Sequence, residues 1–371
     1  MRFEEIPGLF DVKQRLINNA KSGRIPHAQL FLGPEGSANL ALARAYAQYL
    51  ACEQKTEADS CGICPACHKM RKMIHPDLHF SYPTVGEKGL STEFLGEWRE
   101  IQEKNPYLNV FDWLQFLDQE NKQGNISVAE CRDIIRKLSL KSFESEFKFL
   151  ILWMPEYLGK YGNTLLKIIE EPPANTLFLL VAHDQDDIIS TILSRTQIVK
   201  IPRFSDEEIA EHLLQHGASS QDHAASLAFL SEGNMNKALH LLSQQDTPFF
   251  AHFRMLLQMS YARKIPEMMK WSEEAAKFGR ENLKHLLEYG INVLRECVLY
   301  QSGAGELVKV RGDEQEFAMK FSQLTTTNQL SEMIALLNDS GYYIERNGNP
   351  KIVLFNLSLR FKNILSSSRA K

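Results

Sequence analysis

Five short apolar runs, separated by long stretches with helical patterning, constrain the fold of this chain more than any other feature of its sequence. They are Gln29–Leu32, "LHFSYP" (78–83), "FKFLILW" (147–153), "TLFLLVA" (176–182) and "QIVKI" (197–201). Runs of this length read as strands, and their alternation with helical segments predicts an α/β domain on a mostly parallel sheet over residues 1–203. The first run leads into a tight turn, Gly33-Pro34-Glu35-Gly36, and then into an Ala-rich helix from Leu40 onward. That is the strand, loop and helix context of a phosphate-binding loop.

The chemistry of such a loop is missing. Laid against G-x-x-x-x-G-K-[ST], or against G-P-x-G-x-G-K-[ST], the turn keeps Gly33 and Gly36, but the lysine position falls on Asn39 and the hydroxyl position on Leu40. The strand at 147–153 should end in an acidic residue that holds magnesium; it ends in Trp153-Met154, and the first carboxylate is Glu156. An indole cannot organise a metal's water shell. One lost charge-assisted phosphate contact is worth roughly 1.5–3 kcal/mol, and about 1.4 kcal/mol is a decade of affinity. Coordinated loss at both motifs predicts that ATP does not bind productively.

Four of the six cysteines sit together: Cys52, then Cys61, Cys64 and Cys67 in two successive C-x-x-C steps, with Gly62 and Pro65 suited to tight turns. The spacing suits an all-thiolate zinc site, structural rather than catalytic because four protein ligands leave no open position. Disulfides and a thioredoxin-like redox pair are the competing readings. His68, His75 and His79 are nearby alternative ligands that a fourth cysteine makes unnecessary, and Cys131 and Cys297 read as buried small hydrophobes.

At 371 residues the chain is long enough for two or three cores. Residues 83–125 exceed an ordinary loop and carry Phe94, Trp98 and Ile101, then Val110, Trp113, Leu114 and Leu117, at helical spacing, which predicts a helical insertion. From Ser205 of "SDEE" onward the sequence reads as all-α, with a break at Gln244 to Pro248. No internal repeat and no apolar run of membrane-spanning length is found, so a cytoplasmic protein is expected. A net charge of -4 offers no global attraction to nucleic acid. Beside the last cysteine, "HKMRKMIH" offers only Lys69, Arg71 and Lys72, which weighs against the alternative of a stand-alone zinc-containing nucleic-acid binder or diverged NTPase.

The order of motifs resembles the AAA+ clamp-loader family of bacterial DNA polymerase III: "RIPHAQLFLGPEG", the cysteine insertion, "HPDLHF", "NTLLKIIEEPPANTLFLLVA", "ILSRTQIVKIP" and "SEGNMNKAL". The resemblance implies a RecA-like P-loop domain with a zinc module (about 52–75), a helical lid at 204–245 and a helical collar at 246–371, to whose end "IERNGNPKIVLFNLSLRF" is similar. It places Asn236 where the lid usually carries a phosphate-reading arginine. Ser194-Arg195-Thr196 falls on the family's S-R-C motif, with threonine for cysteine, whose arginine completes the ATPase site of a neighbouring subunit. The implied role is a non-catalytic clamp-loader subunit acting in DNA replication. Its implied partners are the ATPase (gamma/tau) and delta subunits and, transiently, the sliding clamp and primed DNA.

Overall fold

The computed structural model describes residues 1–371 apart from 87–88, 120–121, 244–248, 309, 311, 347 and 367–371. The expected break at Gln244 to Pro248 lies outside the described residues. Two compact units are formed: Met1–His212 with Gly233–His240, and Leu213–Glu232 with Leu241–Lys371.

In the first unit, β1 (Ala28–Leu32), β2 (Leu78–Ser81), β3 (Lys148–Trp153), β4 (Thr176–Ala182) and β5 (Gln197–Lys200) form a parallel sheet in the order β2-β3-β4-β1-β5. Each of the five apolar runs supplies one strand. Every residue of β3 and β4 is buried, as strands covered on both faces require. The register sets Leu32 opposite Ala182 and Trp153 opposite Val181, so β1, β3 and β4 end at one level. In a parallel sheet whose order reverses about its first strand, the crevice outside these carboxyl ends is where ligands usually sit.

The helices of this unit include α1 (Phe10–Lys21), α2 (Asn39–Ala51), α3 (Pro65–Arg71), α4 (Leu95–Lys104), α5 (Val110–Phe116), α6 (Val128–Leu138), α7 (Leu166–Glu170), α8 (Ser190–Leu193) and α9 (Asp206–Gln215), which ends beyond the unit boundary. Every residue of α2 is buried, which accounts for its run of alanines: small side chains admit close packing on all sides. At the start of α9 the Ser205 N–H donates to the Glu208 carboxylate and the Glu208 N–H to the Ser205 hydroxyl, as the N-cap reading of "SDEE" predicts.

The expected insertion is closed at its base by paired backbone hydrogen bonds between Thr84 and Asn125, of 2.9 and 2.8 Å. Its apolar positions converge on the sheet end. The Trp98 ring stacks on Tyr82 at 4.1 Å and meets Trp113 at 5.2 Å and Trp153 at 5.1 Å. Trp113 Nε1 donates to the Pro83 carbonyl at 2.8 Å, so burying this indole leaves no unpaired donor.

Among its described residues the second unit is helical throughout: α10 (Gln221–Ser231), the end of α11 (Met235–Ser243), α12 (Phe249–Ala262), α13 (Ile265–Ala275), α14 (Arg280–Gln301), α15 (Gly312–Leu324), α16 (Thr327–Glu345) and α17 (Pro350–Ser366). Its core includes Trp271, Leu294, Met333, Leu337, Leu354 and Phe361. Cys131 in the first unit and Cys297 in the second are fully buried. No described helix is long and apolar enough to cross a membrane.

Candidate functional site: a filled crevice and an exposed arginine

The loop Gly33–Ala38 joins β1 to α2 as the sequence predicts, and two glycines are needed there for different reasons. A Cβ on Gly33 would lie 2.3 Å from the Ile201 carbonyl oxygen. Gly36 has φ +72°, and a Cβ there would lie 1.8 Å from Asn234 Oδ1. Asn39, at the lysine position, turns inward. Its Nδ2 donates to the carbonyls of Gly33 at 2.6 Å and Ala182 at 2.8 Å, and its Oδ1 accepts from the Ser37 hydroxyl. The side chain that would reach a phosphate in a working loop here ties the loop to the end of β4.

Leu40 is buried beside it, and Trp153 is 1% exposed within the aromatic cluster. Between them the insertion contributes Pro106-Tyr107-Leu108. The cavity left among Ser37, Asn39, Leu40, these three residues, Trp153, Val181 and His183 is about 10 Å³, no more than one water requires. Among the described residues no lysine or arginine lines it. Glu156, the first carboxylate after β3, instead accepts from the His183 and Asp184 N–H groups at 2.7 and 3.2 Å, and burial raises its pKa. It serves the chain turn after β4.

Asn236 is buried and its Nδ2 donates to Asp112 Oδ2 at 2.7 Å, while its Oδ1 accepts from Asn105 Nδ2. His240 Nε2 lies 3.0 Å from Asp112 Oδ1. Burial acts to raise the Asp112 pKa, but the hydrogen bonds from His240, the Asn109 N–H and Asn236 prevail and hold it below the usual carboxylate range. Both partners of Asn236 belong to the insertion. Sequence reasoning missed Asn105, Tyr107, Asp112 and Asn234; the Asn-Pro step at 105–106 marks a turn but not what the turn covers.

Arg195 stands elsewhere in the same unit, in the turn between α8 and β5. Its guanidinium pairs with the Glu170 carboxylate at the end of α7, and its Nη1 donates to the Thr191 carbonyl at 2.8 Å and the Ser194 hydroxyl at 3.1 Å. Its side chain is 32% exposed and that of Glu170 45%. The structure therefore keeps this arginine at the surface, held by one acidic partner that the sequence did not single out.

The four cysteines converge, their sulfurs all within 4.8 Å of one another. Cys52 and Cys61 Sγ are 3.6 Å apart, and Cys61 and Cys67 Sγ 3.9 Å, too far for disulfides. Four sulfurs at about 2.3 Å from a tetrahedral ion would be about 3.8 Å apart, which the arrangement fits. The Cys61, Cys64 and Cys67 N–H groups donate to the sulfurs of Cys52, Cys61 and Cys64 at 3.3, 3.4 and 3.4 Å. Such donors favour thiolates. For Cys61 burial acts upward, but N–H groups from Ile63 and Cys64 outweigh it and bring the pKa down to about 7, whereas burial pushes Cys52 and Cys67 up. Among the described residues no histidine joins the cluster; His75 is buried and its Nδ1 accepts from the Asp77 N–H at 3.2 Å.

The sequence of the chain matches that of known proteins. DNA polymerase III subunit tau of Bacillus subtilis is 25% identical over 95% of this chain, which spans 60% of that protein's length. DNA polymerase III subunit delta' of Escherichia coli is 25% identical over 80% of this chain and 77% of its own length, and the Bacillus subtilis delta' subunit is 25% identical over 86% and 87%. The profile of the family described as "DNA polymerase III, delta subunit" matches residues 10–205, more than half of the chain. By that match the chain belongs to the DNA polymerase III delta subunit family.

Proposed function

We propose that the chain is the delta-prime-type subunit of a bacterial clamp loader: a subunit that hydrolyses no ATP itself and supplies Arg195 to the site of a neighbouring ATPase subunit. The observation that carries this reading is the contrast between a crevice filled by the chain's own residues, with no cationic side chain, and an arginine kept at the surface in the S-R-T turn. Its partners are then the gamma/tau and delta subunits and, through the complex, the sliding clamp and primed DNA in the cytoplasm. Residues 204–245 serve as the lid and 246–371 as the collar that packs into the ring. Ser194, whose hydroxyl accepts from Arg195, holds the arginine in its turn until the neighbouring site takes it up.

Cys52, Cys61, Cys64 and Cys67 would hold one structural zinc ion. The metal would supply cross-linking of a loop-rich segment, and its binding energy would be coupled to folding rather than to any reaction step. Metal analysis of protein prepared without chelator should give one zinc per chain.

The deciding experiment is reconstitution. The purified chain is expected to co-elute with the gamma/tau ATPase and delta subunits and to be required for clamp loading on primed DNA. A monomer that enters no such complex would overturn the reading, as would ATP hydrolysis by the chain alone.

A further inference from the structure

We infer that the insertion carries a permanent occupant of the crevice, the Asn105–Asp112 turn, which couples the loop after β1 to the start of α11 in place of a bound ligand. This goes beyond the role in a clamp loader and does not depend on it. The turn touches both sides of the crevice. On the loop side, Asn109 Nδ2 donates to Glu35 Oε1 at 2.9 Å, and Tyr107 closes over Ser37, Asn39 and Leu40. On the α11 side, Asn105 and Asp112 hold the buried Asn236 amide from both ends, and Asp112 also faces His240. The turn is itself fixed: Asn109 and Asp112 cap α5 reciprocally, and the Asn105 side chain accepts from the Tyr107 N–H at 2.9 Å. The loop and α11 also meet directly, through the Met235 N–H and the Gly36 carbonyl at 3.0 Å, so the turn completes a contact that is already begun.

Tyr107 is the wedge of this device. It is 3% exposed, its ring meets Phe204 at 5.6 Å and His212 at 6.0 Å edge-on, and its hydroxyl is buried with no protein hydrogen-bond partner among the described residues. Its ring, packed edge-on against these aromatic neighbours, is what fills the space.

The coupling makes a reciprocal prediction, because two segments held through a third must loosen together. Amide hydrogen exchange on the full-length chain should show that Asn236→Ala speeds exchange by about tenfold in three separate stretches, 34–38, 105–112 and 233–240, while β3, β4 and the cysteine module keep wild-type rates. Tyr107→Gly, altered in the turn alone, should loosen the same three stretches. Tyr107→Phe should leave them unchanged, since it keeps the ring that fills the space. If Asn236→Ala loosens 233–240 alone, Asn236 is an ordinary helix contact and the coupling is absent. If Tyr107→Phe loosens the stretches as Tyr107→Gly does, the wedge acts through its hydroxyl and the space-filling account fails.

Discussion

The crevice at the ends of β1, β3 and β4 and the turn that carries Arg195 lie in one folding unit, yet they treat polar groups in opposite ways. In the crevice, Asn39 is 2% exposed and spends its amide on the chain's own carbonyls, and Trp153 packs against Trp98 in the aromatic core. At the turn, Arg195 remains a third exposed, and its main partner, Glu170, is nearly half exposed. A side chain with no ligand to meet can be drawn into packing; on the proposed reading, one that reaches another subunit stays outside and is released cheaply. If that reading holds, the difference separates residues recruited to stability from a residue kept for a task.

The largest effect expected tests the exposed side. In complexes reconstituted at matched subunit composition, Arg195→Ala should silence the ATPase site it faces, by analogy with trans-acting arginines worth about 10³–10⁵ in rate. The free chain should keep the melting temperature and metal content of the wild type. Arg195→Lys should restore little, because an ammonium lacks the planar fork. Steady-state ATPase with clamp and primed DNA is the measurement, and equal rates would make the turn as purely structural as the crevice.

Next in size is Trp153→Asp, which puts back the acidic residue that the second nucleotide motif would need. Removing a buried tryptophan costs about 3–5 kcal/mol, and leaving a carboxylate unpaired among Trp98 and its neighbours adds to this. Denaturant unfolding should show the loss in the first unit, with no magnesium binding gained. A stable variant would mean that the aromatic cluster is not the core the comparison requires.

How far this contrast was legible in the sequence depends on distance along the chain. The strands were readable because β3 and β4 are apolar after their first residues, Lys148 and Thr176, and the loss of phosphate chemistry because Asn39 stands six residues from Gly33 in a fixed local pattern. The cysteine cluster followed from spacing in the same way. What fills the crevice could not be read. Asn236 and Asp112 are 124 residues apart, and the spacing of Trp98 and Trp113 marks an apolar face without naming the strand end it covers. Glu170 as the partner of Arg195, 25 residues away, was hidden for the same reason.

A smaller effect is expected when the loop alone is repaired. Asn39→Lys with Leu40→Thr restores the motif's residue types but removes the amide that bonds Gly33 and Ala182, at a cost of about 1–3 kcal/mol. Calorimetry with ATP and magnesium should still show no binding, because Tyr107 occupies the space. Binding in the micromolar range would show that the two lost side chains were the only barrier, and that the crevice is merely unfurnished, not filled.

The smallest change concerns Glu170. An ion pair this exposed is worth about 0–1 kcal/mol, so Glu170→Gln should shift the melting temperature little. Its value lies in what it says about how Arg195 is held. If the carboxylate only parks the guanidinium until a partner subunit arrives, then Glu170→Gln leaves the ATPase of the assembled complex at or above the wild-type rate, since the arginine no longer gives up a charged partner when it turns outward. If instead the carboxylate aims the guanidinium while it acts, the same variant should lower the rate in the direction of Arg195→Ala without altering assembly. The bonds from Arg195 Nη1 to the Thr191 carbonyl and the Ser194 hydroxyl favour parking. They fasten the arginine to its own turn by groups that a competing phosphate could displace, and a residue fastened by weak, local bonds is one that can leave.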